Sequence, residues 1–183
     1  LLRREVEPTR IALSGLAAPV PADWVLSTEG ANQRVTETVA DKAGNTRSAT
    51  SPAVSIDATA PNTSATAPDG WTAADQTVTL DPHDGLSGVA ATYSKLDGGD
   101  AKSGTSVAVA GDGTHTLEYW SVDKAGNEEA HKTIEVKIDG STPTISHTLV
   151  PAPNAKGWNN SDVTVKFSCP DEVSGIASCT PDQ

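Results

Sequence analysis

Apolar and polar residues alternate one by one along much of this chain, which is the period of a half-buried β-strand. From His115 to Asp123, the residues Leu117, Tyr119, Ser121 and Asp123 share one face, and Thr116, Glu118, Trp120 and Val122 share the other. Alternation of this kind, enriched in β-branched residues, predicts strands over 77–81, 90–96, 106–110, 115–123 and 132–138, with a short one at 63–67. Turn-forming clusters separate them at Asp97-Gly98-Gly99-Asp100, Gly111-Asp112-Gly113 and Asp123-Lys124-Ala125-Gly126-Asn127. The last suits a type I turn followed by a left-handed glycine, closing a hairpin. No stretch carries helical periodicity over a useful length. Short strands at this spacing predict a sandwich of two antiparallel sheets. The face of Leu117 and Tyr119 is expected to be core and that of Trp120 to look toward solvent.

The pattern recurs. Asp41-Lys42-Ala43-Gly44-Asn45 returns letter for letter as Asp123-Lys124-Ala125-Gly126-Asn127, an offset of 82 that also takes Asp57 onto Asp139, Pro61 onto Pro143, and Val54 and Ile56 onto Val136 and Ile138. A second offset, 87, takes Gly70-Trp71 onto Gly157-Trp158, Asp84 onto Asp171, and Ser87-Gly88-Val89-Ala90 onto Ser174-Gly175-Ile176-Ala177. Self-similarity at a fixed period is the mark of an array of folded units. The expected organisation is an unassigned segment at 1–13, the back half of a unit at 14–57, a complete unit at 58–139 and the front half of another at 140–183. A stretch of a longer array would show this pattern. The alternative is head-to-tail pairing, in which another molecule supplies the missing front of the first unit.

A net charge of −11 disfavours nucleic acid and anionic membrane surfaces as partners. No run approaches the roughly 20 apolar residues of a membrane helix, so no membrane insertion by a helix is expected. Met is absent and aromatics are few, so each core must be built from Val, Ile, Leu and Ala with one or two rings. The only cysteines, Cys169 and Cys179, flank what reads as the connection between two strands. They are expected to form a local disulfide, which implies an oxidising, extracytoplasmic compartment. Zinc is the weaker reading, because no second thiol or histidine pair accompanies them.

The string Gly113-Thr114-His115-Thr116-Leu117-Glu118-Tyr119, then Asp123-Lys124-Ala125-Gly126-Asn127, then Ile138-Asp139 with Thr142-Pro143, resembles bacterial immunoglobulin-like repeats. Gly157-Trp158 with Val163-Thr164-Val165, and Ser174-Gly175-Ile176-Ala177, resemble the front half of the same repeat. Such repeats stand in tandem in large secreted or surface proteins, and some are labelled outer-membrane β-barrel-type domains. The resemblance implies an all-β chain of tandem immunoglobulin-like antiparallel β-sandwiches, one complete and two partial. It also implies an extracellular accessory role as spacer or adhesion module, with neighbouring domains of the same polypeptide as partners, and supplies no catalytic residues.

A repeated residue serves every copy of a fold, whereas a catalytic constellation normally occurs once. His83, His115, His131 and His147 are scattered, and no nucleophile elbow, phosphate loop, zincin or dinucleotide motif is present, so no enzyme is expected. Asp57 and Asp139 lie at the unit junctions and are weak calcium candidates, since each shows only one obvious acid where calcium takes roughly six to eight oxygens. Acting as turn acceptors is the plainer role for these aspartates. No other cofactor is implied. For polysaccharide or a cell surface, Trp120 and Trp24 are the candidate platforms, because the first unit has Thr38 in the place of Trp120 and the fold therefore does not demand a ring there. Trp71 and Trp158 recur at matched positions and are expected to pack over the end of the sandwich.

Overall fold

The computed structural model describes residues 23–179; the segment 1–13 and the start of the first unit, 14–22, lie outside them. The described chain is all-β, without a helix. The central unit contains β5 (Asn62–Thr66), β6 (Trp71–Thr72), β7 (Gln76–His83), β8 (Val89–Leu96), β9 (Lys102–Ser103), β10 (Ser106–Val109), β11 (Gly113–Asp123) and β12 (Lys132–Ile138). They form one sheet of order β10-β7-β5 and another of order β6-β12-β11-β8-β9, antiparallel except where short β6 runs beside β12. Before this unit come β1 (Gly30–Gln33), β2 (Thr36–Ala40), β3 (Thr46–Thr50) and β4 (Val54–Ile56), paired as β1-β4 and β2-β3. After it comes the hairpin of β13 (Ser146–Val150) and β14 (Thr164–Ser168).

Alternation places the core. Val78, Leu80 and Val109 from the first sheet meet Leu117, Tyr119, Val136 and Ile138 from the second. All the strands expected in this unit are present, with ends shifted by a residue or two. Pro82 lies inside β7, the middle strand of its sheet, and offers no N–H to a ladder. It is accommodated because β10 reaches only as far as Thr79, so Pro82 stands opposite Thr63 of β5 alone. Ser121 shares the inner face and is fully buried, its hydroxyl 2.7 Å from Thr63 Oγ1 and 2.8 Å from Thr92 Oγ1. Buried hydroxyls partnered in this way join the two sheets without a polar atom left over.

The repeated pentapeptide closes matching hairpins. Asp41 Oδ1 accepts the amides of Ala43 and Asn45, and Asp123 Oδ1 those of Gly126 and Asn127. In both copies the Asn side chain donates back to Oδ2 of the Asp at 2.8 Å. Gly44 and Gly126 have φ of +87° and +96°, a region that costs any other residue steric strain. The recurring letters thus encode a turn. Glu37, the counterpart of Tyr119 at an offset of 82, is half-buried and accepts a hydrogen bond from the Trp24 indole N–H.

Cys169 and Cys179 form the expected disulfide, with Cα atoms 6.3 Å apart. The bridge spans ten residues, and loop-closure entropy gives a ring of that size about 2–3 kcal/mol. Because no core strand of the central unit lies within it, Cys179→Ser is expected to speed amide exchange over 164–176 while leaving the unfolding midpoint of the central unit unchanged. A lowered midpoint would show the ring to be coupled to that core.

Candidate functional site

The acids that the sequence marks at the unit junctions act as clamps. Asp57 follows β4, and its Oδ2 accepts the Ser87 amide at 2.8 Å while Oδ1 accepts that of Thr59 at 3.1 Å. Asp139 follows β12 and repeats the arrangement, with Oδ2 accepting the Ser174 amide at 3.0 Å and Oδ1 that of Ser141 at 3.0 Å. Each turn so gripped is itself folded around an acid. Asp84 Oδ2 accepts the amides of Leu86 and Gly88, and Asp171 Oδ1 those of Val173 and Gly175. Gly88 and Gly175 lie at φ +81° and +78°, which this tight turn requires.

The Asp57 clamp reaches further than its sequence suggests. The Asn127 amide nitrogen bridges the Asp57 carbonyl at 3.1 Å and Asp123 Oδ2 at 2.8 Å. Asp57, Asp84 and Asp123 therefore meet, with carboxylate oxygens within 4.8 Å of one another. Beside them is an open cleft of about 180 Å³, lined by Gly30, Ile56, Asp57, Leu86, Ser87 and Ala125. The Ser87 side chain and then the Ser87 and Thr59 amides hold Asp57 below the usual carboxylate range, against partial burial and the Asp123 charge. The Ser87 hydroxyl is buried and finds no partner at hydrogen-bonding geometry, so the amide contact defines the clamp. Burial pushes Asp123 upward, but Asn127 and the amides of its turn outweigh that and hold it low. Ser141 and Ser174 bring Asp139 down to about 2. These carboxylates remain ionised because peptide N–H dipoles face them.

Calcium chemistry fits this geometry only partly. Asp57 gathers two further acids that the sequence did not group with it, while among the described residues no comparable trio forms around Asp139. All three carboxylates of the Asp57 trio already accept backbone amides. The arrangement is that of a structural anion cluster compensated from within the chain.

The tryptophans divide differently from the sequence expectation. Trp120 does lie on the outer face of β11, yet only 8 % of it is exposed. His131 stacks on its ring at 3.9 Å, Tyr93 at 5.6 Å, and Lys95 Nζ lies 5.3 Å from the ring centre. His131 is held there by Glu118, which accepts from Nδ1 at 2.6 Å. Trp120 is therefore a covered packing residue and presents no open platform. Trp24 is 65 % exposed. Trp71 and Trp158, expected to be packed, are exposed by 41 % and 75 %. Both follow a glycine at φ +83°, so what recurs at these positions includes the turn that ends in Trp.

His115, near the start of β11, has a structural role. Its Nδ1 lies 2.8 Å from Asp97 Oδ2 and its Nε2 3.0 Å from the Gly111 carbonyl, pinning two turns together. Acceptors at both nitrogens, the Asp97 carboxylate foremost, raise its pKa. No family model, no curated protein and no solved structure matches this chain.

Proposed function

We propose that this chain is a non-catalytic run of tandem immunoglobulin-like β-sandwich units, serving as a spacer within a larger secreted or cell-surface protein. The observation that carries this reading is the paired clamp, in which Asp57 grips the Ser87 amide and Asp139 the Ser174 amide. A carboxylate on the connecting strand that binds a turn of the next unit limits swivelling at the junction. Pro61 and Pro143 lie just beyond and restrict the same connection. Asp139 serves both sides, since its amide donates to the Thr72 carbonyl while its side chain holds Ser174. A semi-rigid rod holds its neighbours at a set distance. The disulfide supports an oxidising compartment, and with it a location outside the cytoplasm.

The exposure of Trp24 and Trp158 favours a second reading, a module that contacts polysaccharide or a cell surface. The two separate in a sedimentation pull-down on cellulose, chitin and bacterial cell wall. The spacer reading expects no saturable retention on any of them. Retention lost in Trp24→Ala or Trp158→Ala would replace it with the binding reading and locate the face.

A further inference from the structure

The two junctions are built alike except in one respect. The offset of 87 carries Pro82 and Thr92 onto Cys169 and Cys179, so the turn that Asp139 grips lies inside a disulfide ring and the turn that Asp57 grips does not. At the first junction the gripped turn joins β7 to β8, which belong to different sheets and have ladder partners on both sides. The β11–β12 connection holds it as well. The Lys124 amide donates to the Gly88 carbonyl at 2.9 Å, and the Asn127 side chain to the Asp57 carbonyl at 3.1 Å. With no cysteine near it, that joint has nothing to reduce.

At the second junction the contacts converge on the ring. Asp139 Oδ2 accepts the Ser174 amide at 3.0 Å, and the Thr144 amide donates to the Pro170 carbonyl at 3.1 Å. Among the described residues, these two and the Thr144 hydroxyl, on the same Pro170 carbonyl, are the hydrogen bonds from 139–145 to the unit that follows. Pro170 and Ser174 both lie between Cys169 and Cys179. Inside the ring Asp171 Oδ1 accepts the amides of Val173 and Gly175, which shapes the turn that presents Ser174. Keeping the Ser174 N–H on Asp139 requires this loop to be ordered, and covalent closure lowers the entropy cost of ordering it. An opened ring gives the loop that freedom back, and the grip on Ser174 weakens.

We propose that the Cys169–Cys179 disulfide is a redox-set brace on the second joint. Closed, it fixes the Ser174 turn against Asp139; reduced, it lets that joint swivel while the first joint stays fixed. The reductant is a dithiol. Its thiolate attacks Sγ of Cys179, which is exposed where Cys169 is half-buried, forming a mixed disulfide and releasing Cys169 as a thiolate. The second thiol of the reductant then displaces Cys179 Sγ. Two electrons and two protons pass to the cysteine pair, and the dithiol leaves as a cyclic disulfide. The proposal rests on the clamps that carry the spacer reading and adds control over one of them. Retention on polysaccharide would overturn that reading without altering the response of Asp139.

Carboxyl titrations of Asp57 and Asp139 by NMR in the full 183-residue chain, with and without dithiothreitol, test it. Asp139, held at about 2 by Ser141 and Ser174, should rise partway toward 3.8 on reduction, because Ser141 stays beside it and Ser174 does not. Asp57, held low by Ser87 and Thr59, should not move. The Ser174 amide should exchange at least about tenfold faster, and the Ser87 amide at an unchanged rate. The double variant Cys169→Ser, Cys179→Ser should match the reduced chain and be indifferent to the dithiol. Resonances of β13 and β14 report that the hairpin survives. An Asp139 titration unchanged by reduction, an equal response at Asp57, or collapse of the hairpin along with the clamp would each overturn the proposal. The last would show that the ring holds the whole hairpin and not the joint.

Discussion

Glu129→Ala is expected to destabilise the central unit by about 3 kcal/mol, the scale for removing one partner from a buried charged pair. Glu129 lies in the loop between β11 and β12, is only 6 % exposed, and reaches across to the opposite sheet. There it accepts the Thr63 amide at 3.0 Å and the Thr63 hydroxyl, and it pairs with Lys132 Nζ at 2.8 Å. Lys132 also donates to the Thr63 carbonyl at 2.7 Å, so one ion pair closes around the start of β5. Truncation would leave the Thr63 amide buried and unpaired and remove the acid facing Lys132. Urea unfolding measures the loss, and a change below about 1 kcal/mol would mean that water replaces the carboxylate without difficulty.

The same residue makes a pH prediction of definite sign. Burial pushes the Glu129 carboxyl upward, but Lys132 and Thr63 outweigh it and hold its folded pKa below the ordinary 4.5. A depressed folded pKa contributes stability above the unfolded value and loses it as pH falls through the folded one. Asp139, at about 2 against an ordinary 3.8, adds its share in the interval between those values. Native stability should therefore fall as pH drops below about 4.5, and Glu129→Ala should fall less steeply over the first part of that descent.

Much of this was legible in the chain, and the reason is local. Period-two alternation found every long strand of the central unit, and the repeated Asp and Gly letters found the turns, because a turn is encoded by the residues that form it. The disulfide was legible for the same reason, its cysteines flanking one short connection. What alternation cannot show is a contact made from elsewhere. Trp120 points outward as the pattern says, but His131, which stands across the β11–β12 hairpin from it just before β12, stacks on its ring and covers it, and the first unit has Thr38 and Ala49 at those positions to give no hint. Glu129 reads as a polar loop residue, the more so with Arg47 as its counterpart. Asp57, Asp84 and Asp123 come from three different connections, and only the fold makes them neighbours. The recurrence of Trp158 suggests a packing role, yet the residue is exposed, and what recurs with it is a left-handed glycine before it.

Leu117→Ala is the other substitution expected to act strongly, at about 3–4 kcal/mol, and its value lies in comparison with Val35→Ala. Leu117 is fully buried between the sheets, touching the cluster of Val78, Leu80 and Val136, so truncation removes apolar contact and leaves a cavity that a small sandwich closes poorly. A unit of this size has a total stability of only about 5–10 kcal/mol, so the variant should unfold well before the native protein on heating. Val35, the counterpart of Leu117 at an offset of 82, lies between β1 and β2 and is half-buried. Its truncation should cost about 1 kcal/mol, since only part of its surface leaves water on folding. Thermal unfolding of both variants measures the difference, and a Val35→Ala penalty as large as that of Leu117→Ala would show Val35 to be as tightly enclosed as the central core.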